Sequence, residues 1–385
     1  MKDNWTTAHL AALAWQDAAF AFVPQPQDFA GRTVRQAVRL RRGGAAVRLV
    51  LSNEYGDGPL IIDGMTVGVG GGGDAPDGGR GLGSARPVLL NGRARWEIPA
   101  GETATGDPVA LTAAAGDDLL VSCFLAGHVP SATYLHSAQR TGEAAPGDQL
   151  GRPQLTGAAP FSSLHWIARV LVDAPASGPV VVAYGDSITR GDGTPADREE
   201  RYPDHLRRRL HAAGVGGAVV LNAGLGANRL LRTGLGPSMG ERFERDVLGA
   251  AEATHVIIMG GANDIALPGL LGDKPVAADE ITDGLLALAS RARQHGIRPV
   301  LGTITPFGGS TFASFRSEGS ERIRQDVNHA IRSQRDWPVV DFAAAVAAPD
   351  DPARLAAAYD SGDGVHPGGD GARVLADAVD PALFA

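Results

Sequence analysis

Hydrophobic and polar positions follow two different rhythms along this chain. Up to about residue 175, short apolar runs alternate with polar positions. Segment 33–41 sets Val34, Ala37 and Leu40 against arginines, and 46–52 repeats the alternation around Arg48. Similar stretches at 60–69, 94–98, 118–125, 133–137 and 166–172 are separated by Gly, Pro and Asp turns, with hardly a helical period among them. That pattern predicts an all-β unit, a sandwich or jelly roll. Around Asp173-Ala174-Pro175-Ala176-Ser177-Gly178-Pro179 the rhythm changes. We expect a domain boundary there, with a β-rich accessory domain over 1–175 and a second domain over 176–385.

Beyond the boundary, continuous apolar runs alternate with amphipathic stretches. Strands are expected at 180–184, 218–222, 255–259, 299–304 and 339–342. Helices are expected near 202–213, 239–250, 278–295, 319–333 and 371–379, and Ile323, Val327 and Ile331 recur every four residues in the fourth. Gly214 and Gly296 stand where helix stops belong. Five β-α units predict an α/β domain with a parallel five-stranded sheet, covered on both faces through right-handed crossovers.

Composition narrows the classes. The 385 residues are 44% hydrophobic and 20% charged, with a formal net charge of −8, as in an ordinary globular protein. No basic face argues for a nucleic-acid partner. The run Arg207-Arg208-Arg209 reads as the wet side of a helix that buries Tyr202, Leu206 and Leu210. The single cysteine, Cys123, lies in an apolar run and allows no internal disulfide. No segment reaches the roughly 20 apolar residues of a membrane span. The first residues lack a secretory pattern, so a cytoplasmic location is expected. Length and composition leave the oligomeric state open.

The chemistry gathers at strand ends. The first strand of the second domain ends in Gly185-Asp186-Ser187-Ile188. The second runs into Asn222-Ala223-Gly224-Leu225-Gly226-Ala227-Asn228, and the third into Gly261-Ala262-Asn263-Asp264. In a parallel sheet these termini lie side by side, at the edge where open α/β sheets place ligands. Asp363-Gly364-Val365-His366 follows the fifth strand. An acid three residues before a histidine, on a loop, can accept one ring N–H and aim the other nitrogen at a hydroxyl. A hydroxyl, an oriented base and nearby amides are what acyl transfer requires.

Other motifs fall away. Gly68-Val69-Gly70-Gly71-Gly72-Gly73 fits G-x-G-x-x-G by letters but opens no helix, so a hairpin loop is the better reading. The serine lacks a G-x-S-x-G elbow because Thr189 replaces the last glycine. No zinc or P-loop motif is present, and neither metal nor cofactor is expected. His205, His211, His295 and His329 sit on helical stretches and read as structural. Arg190-Gly191-Asp192 is expected to shape the rim of the site.

These four segments resemble, in order, the four blocks of the SGNH hydrolases, also called the GDSL esterase/lipase family. The resemblance covers about residues 178 to 382. Through Thr305-Pro306-Phe307-Gly308-Gly309-Ser310 and Tyr359-Asp360-Ser361-Gly362-Asp363 it extends to the carbohydrate-esterase-like branch with an N-terminal β-rich domain. It implies a three-layer, flavodoxin-like fold, with Ser187 as nucleophile, His366 as general base and acid, and Asp363 as its orienter. The oxyanion hole would comprise the Ser187 N–H, the Ala227 N–H and the Asn263 amide, with Asp186 and Gly226 in support. The implied activity is removal of a small acyl group, acetyl above all, from a carbohydrate or polyhydroxylated metabolite. The same triad would also serve an acyltransferase or cyclase, and a glycan-binding protein with a decayed site is the remaining alternative.

Two positions depart from the family pattern. Where relatives carry glycine, this chain has Ala227. We expect Gly224 and Gly226 to absorb the unusual dihedrals, leaving Ala227 at negative φ with its methyl group narrowing the acyl side. After the histidine, Pro367-Gly368-Gly369-Asp370-Gly371 is expected to weaken the start of the last helix.

Overall fold

A computed structural model describes residues 4–15, 28–70, 81–129 and 133–385. The chain divides into two compact units, Met1–Ala176 and Ser177–Ala385.

The first unit is β-rich and antiparallel. One sheet orders its strands Trp5–Leu10, Ile167–Asp173, Val47–Ser52, Thr103–Thr105, so the first and last strands of the unit pair directly. A second sheet orders Ala159–Phe161, Gly142–Pro146, Arg32–Arg39, Asp118–Leu125, Gly64–Val69, Arg86–Pro87. The run expected as one strand over 60–69 is two. Leu60–Ile62 pairs with Trp96–Ile98, whereas Gly64–Val69 pairs with Asp118–Leu125. Asp63 makes the break, its N–H donating to Phe124 O and its carboxylate accepting from Ala126 N.

Arg32–Arg39 is also not half-wet as its alternation suggested. Arg35 is buried, donating to Ser122 Oγ at 2.9 Å and to the carbonyls of Arg152 and Pro153. A fully hydrogen-bonded guanidinium can lie inside where a bare charge cannot. Cys123 is buried, and burial pushes its thiol up to about 12, so it behaves as a small apolar residue. Gly70 and Leu82 are bridged as the two sides of a hairpin would be, while 71–80 of the glycine-rich stretch lie outside the described residues.

The second unit is a five-stranded parallel sheet. In chain order its strands are Val180–Gly185, Val219–Gly224, His255–Met259, Arg298–Gly302 and Val339–Val340, and their spatial order is second, first, third, fourth, fifth. Val180-Val181-Val182 has no exposed face, which is what a continuous β-branched run in a covered parallel sheet means physically. Helices lie at Tyr202–Ala212, Ala278–Gln294, Glu318–Ser333 and Gly369–Asp377, close to expectation. Leu206 and Leu210 are fully buried beneath the arginine run. The stretch expected as one helix over 239–250 starts as α-helix, Met239–Phe243, and continues as the wider π form, Glu244–Leu248. The last strand is shorter than expected because Phe342 already opens a helix, Phe342–Val346. The last helix starts at Gly369 with Gly368 as an N-cap that offers no side-chain bond, consistent with the weak start read from its glycines.

Register puts the site in place. Gly185 is level with Gly224 on one side and with Met259 on the other. The chains leaving these three strands therefore emerge together where the strand order reverses, the crevice in which such sheets bind ligands. Among the described residues, no helix is long and apolar enough to cross a membrane.

Candidate active site

Ser187 begins a single helical turn, Ser187–Arg190, directly after the central strand. Asp186 caps it, its carboxylate accepting from Ile188 N at 3.0 Å. As the first residue of the turn, Ser187 has a backbone N–H without an intrahelical partner. Burial pushes the Asp186 carboxyl up to about 6, against the Ile188 hydrogen bond and the charge of His366.

Two aspartates fold the last loop. Asp360 Oδ1 accepts from Gly362 N at 2.8 Å and Gly364 N at 3.0 Å. Asp363 Oδ1 accepts from Val365 N at 2.9 Å and His366 N at 2.8 Å. The other oxygen, Asp363 Oδ2, lies 2.6 Å from His366 Nδ1. An ionised carboxylate can only accept, so the ring proton belongs on Nδ1 and Nε2 presents a lone pair. Ser187 Oγ–H donates to that nitrogen over 2.7 Å.

The charges agree with this arrangement. Burial acts to raise Asp363, but the hydrogen bond and charge of His366 and the two backbone N–H groups hold it well below the usual carboxylate range. Burial acts to lower His366, and the Asp363 hydrogen bond with the carboxylates of Asp192, Asp363 and Asp186 outweighs it, so the imidazole is more basic than usual. Such a line of groups can take a proton from the hydroxyl and return it to a leaving group.

The second-strand turn packs against this centre. Asn222 Nδ2 donates to Thr189 O at 2.9 Å, and Asn222 Oδ1 accepts from Gly224 N at 2.9 Å. Here one expectation is overturned: Ala227 has a φ of +54° and lies in the left-handed region. Gly224 and Gly226 do not take up the reversal, and both stand where a side chain would not fit. A Cβ on Gly224 would stand 2.1 Å from Arg190 N, and one on Gly226 2.4 Å from the Arg190 guanidinium. The left-handed conformation falls on an alanine, at a cost of roughly 1–2 kcal/mol.

From the third strand, Asn263 donates through Nδ2 to Asn228 O at 3.0 Å, which leaves the amide's second N–H. Asn263 and Ser187 are 7% and 8% exposed, so an acyl group held between them would be largely shielded from water. Arg190, expected at the rim, is buried and pairs with Asp192, Nε to Oδ1 at 2.7 Å. The structure thus brings Ser187, Asp363 and His366 into one hydrogen-bonded line, and places Asp186, Gly226, Ala227 and Asn263 on the turns beside it.

Two residues have supporting roles that the sequence reading did not assign. Buried Asp264 accepts from Leu230 N at 2.6 Å and Leu231 N at 2.9 Å, fastening the end of the Ala227 turn to the third strand. Arg242 is buried on the helix that follows the turn. Its signal was present: Met239, Arg242, Phe243, Asp246 and Val247 share one face at three- and four-residue spacing, so two charges sit on an apolar stripe. Among the described residues, no group of three or more His, Cys, Asp or Glu side chains could hold a metal ion.

Comparison with known proteins places the match in the same half of the chain. Residues 183–374 match the model of the GDSL-like Lipase/Acylhydrolase family. A relative from Bacillus subtilis (strain 168), the uncharacterized lipoprotein YqeF, is 29% identical over 183 residues, covering 42% of this chain and 69% of that protein. Among solved structures, the native aryl esterase of M. smegmatis is 20% identical with a TM-score of 0.41, covering 52% of this chain and 95% of that one. A carbohydrate acetylesterase family member from Sinorhizobium meliloti is 21% identical with a TM-score of 0.40, covering 53% and 97%.

Proposed function

Since the second unit of this chain belongs to the GDSL-like lipase/acylhydrolase family and is a serine hydrolase, we propose that it removes a small acyl group, acetyl first, from a carbohydrate or another polyhydroxylated metabolite. Ser187 Oγ attacks the acyl carbon while its proton passes to His366 Nε2. Asp363 holds the imidazole in the tautomer that accepts and stabilises the imidazolium that forms. The Ser187 N–H, the Ala227 N–H and the free N–H of Asn263 receive the oxyanion. His366 then protonates the departing alcohol, an acyl-serine remains, and water activated by the same nitrogen releases the acid.

The observation that carries this reading is the continuous line from Asp363 Oδ2 through His366 to Ser187 Oγ, with steps of 2.6 and 2.7 Å. The test is incubation with a fluorophosphonate and location of the adduct by mass. Labelling of Ser187, abolished in Ser187→Ala, supports the reading, and an unlabelled or elsewhere-labelled protein refutes it. Product analysis with acetyl esters, run in water and with competing alcohols, separates hydrolysis from acyl transfer: free acid as the main product in both favours the esterase.

A further inference from the structure

Arg242 takes no part in the relay, yet its bonds reach both sides of the site. Its Nε donates to Asn228 Oδ1 at 2.8 Å. One terminal nitrogen donates to Ala223 O at 2.9 Å and to Asp246 Oδ2 at 2.8 Å, and the other to Gly185 O at 2.7 Å. The guanidinium carbon stands 4.2 Å from the ring centroid of Tyr184. The side chain has no exposed surface, and it pairs with Asp246, a carboxylate it shares with Arg245.

The acceptors have a pattern. Gly185 lies two residues before Ser187, at the end of the nucleophile strand. Ala223 and Asn228 bracket the turn that contains Ala227, and the Asn228 carbonyl accepts from Asn263 Nδ2. One planar group therefore ties together the ends of the turn, the strand that delivers the serine and, through Asn228, the amide of the third strand.

We infer that Arg242 is a positioning residue, a clamp that holds the oxyanion turn against the nucleophile strand and keeps Ala227 in its left-handed conformation. The inference rests on the esterase reading. An alanine at positive φ persists only where its surroundings leave no relaxed alternative. A turn fixed at both ends by one rigid fork of donors has few. Lysine cannot substitute, because its three donors radiate from a single atom and cannot meet acceptors arrayed around a plane.

The test combines Arg242→Lys and Asn228→Ala with Ala227→Gly, reading kcat and KM on an activated acetyl ester together with thermal melting. Arg242→Lys is expected to lower kcat by about 10²–10³-fold, the effect of misplacing one oxyanion donor. KM should move by less than about threefold, the signature of a loss confined to the transition state. Glycine takes the left-handed conformation without the clamp. The gain from Ala227→Gly should therefore be at least about tenfold larger in the Arg242→Lys background than in the parent. A purely structural role would lower the melting temperature and make the effect of Ala227→Gly the same in both backgrounds, and equal factors overturn the inference.

Should Arg242→Lys fail to fold, Asn228→Ala removes the acceptor of the Nε bond, together with the bond that Asn228 Nδ2 donates to Pro237 O at 2.7 Å. Recovery of that variant by Ala227→Gly supports the clamp, and no recovery overturns it. A wild-type protein inert to both ester and fluorophosphonate would overturn the esterase reading and the clamp with it. A labelled, active wild type with background-independent effects would overturn the clamp only.

Discussion

Replacement of Asp363 by asparagine asks whether the carboxylate works by setting the imidazole tautomer. Both oxygens are committed: Oδ1 accepts from two backbone N–H groups, of Val365 and His366, and Oδ2 faces His366 Nδ1. An asparagine of the same shape must place its carbonyl oxygen at the Oδ1 position. Turning its NH₂ there would set donor against two donors and forfeit two hydrogen bonds, each worth about 0.5–1.5 kcal/mol net. The NH₂ therefore faces Nδ1, which must offer a lone pair. The ring proton moves to Nε2, the nitrogen that has to accept from Ser187. A fall in kcat of about 10⁴-fold is expected from the wrong tautomer, equivalent to roughly 5.5 kcal/mol in the barrier. Asp363→Ala enforces no tautomer. The position is half-exposed, so water can enter, and the loss is expected to be smaller. Steady-state hydrolysis of an activated acetyl ester, normalised to folded protein, gives the ranking parent, Ala, Asn. An asparagine variant within about tenfold of the parent, or more active than the alanine variant, would refute the reasoning.

Three further outcomes follow from the same geometry. Ser187→Ala and His366→Ala should each cost about 10⁴-fold or more in kcat, with the double variant little worse, because either loss disables the whole relay; multiplicative losses in the cycle would show two independent groups. Asn263→Ala should lower kcat by about 10²–10³-fold with little change in KM, as loss of an oxyanion donor does, and an effect on KM alone would move Asn263 to ground-state binding. The acid side of the pH–rate profile reports His366, which must be neutral to accept the serine proton. Its pKa is raised above the ordinary 6.5, so activity is lost as pH falls through that higher value. Asp192→Asn removes one of the carboxylates that raise it, so the acid limb should move to lower pH, and a shift upward or none at all would contradict the assignment.

Much of the architecture was legible because it follows from local periodicity. Covered parallel strands are apolar on both faces, and Val180-Val181-Val182 declares this in three letters. Amphipathic helices repeat at three and four residues, and their ends fell within a few residues of Ala278–Gln294 and Glu318–Ser333. Ser187, Asn263, Asp363 and His366 could be singled out because strand ends in a parallel sheet share one edge, so order along the chain becomes proximity in space. The split of the run over 60–69 was not legible, since both pieces keep the same alternation and only their partners differ.

What the sequence determined by itself, then, is whatever depends on a residue's own type and its near neighbours: the change from alternating strands to β-α units, the hydroxyl, the imidazole, and an acid three residues from its histidine. Tertiary structure alone decided where strain and buried charge would fall. Gly224 and Gly226 read as free hinges in the sequence, but a Cβ would meet the Arg190 backbone at the first and the Arg190 guanidinium at the second, and the left-handed conformation is found at Ala227. Arg35 reads as a surface charge until the folded chain supplies a hydroxyl and carbonyls from segments remote in sequence, and those acceptors make burial affordable. A dihedral or a desolvated charge is set by the sum of its contacts, and contacts between distant segments exist only once the chain has folded.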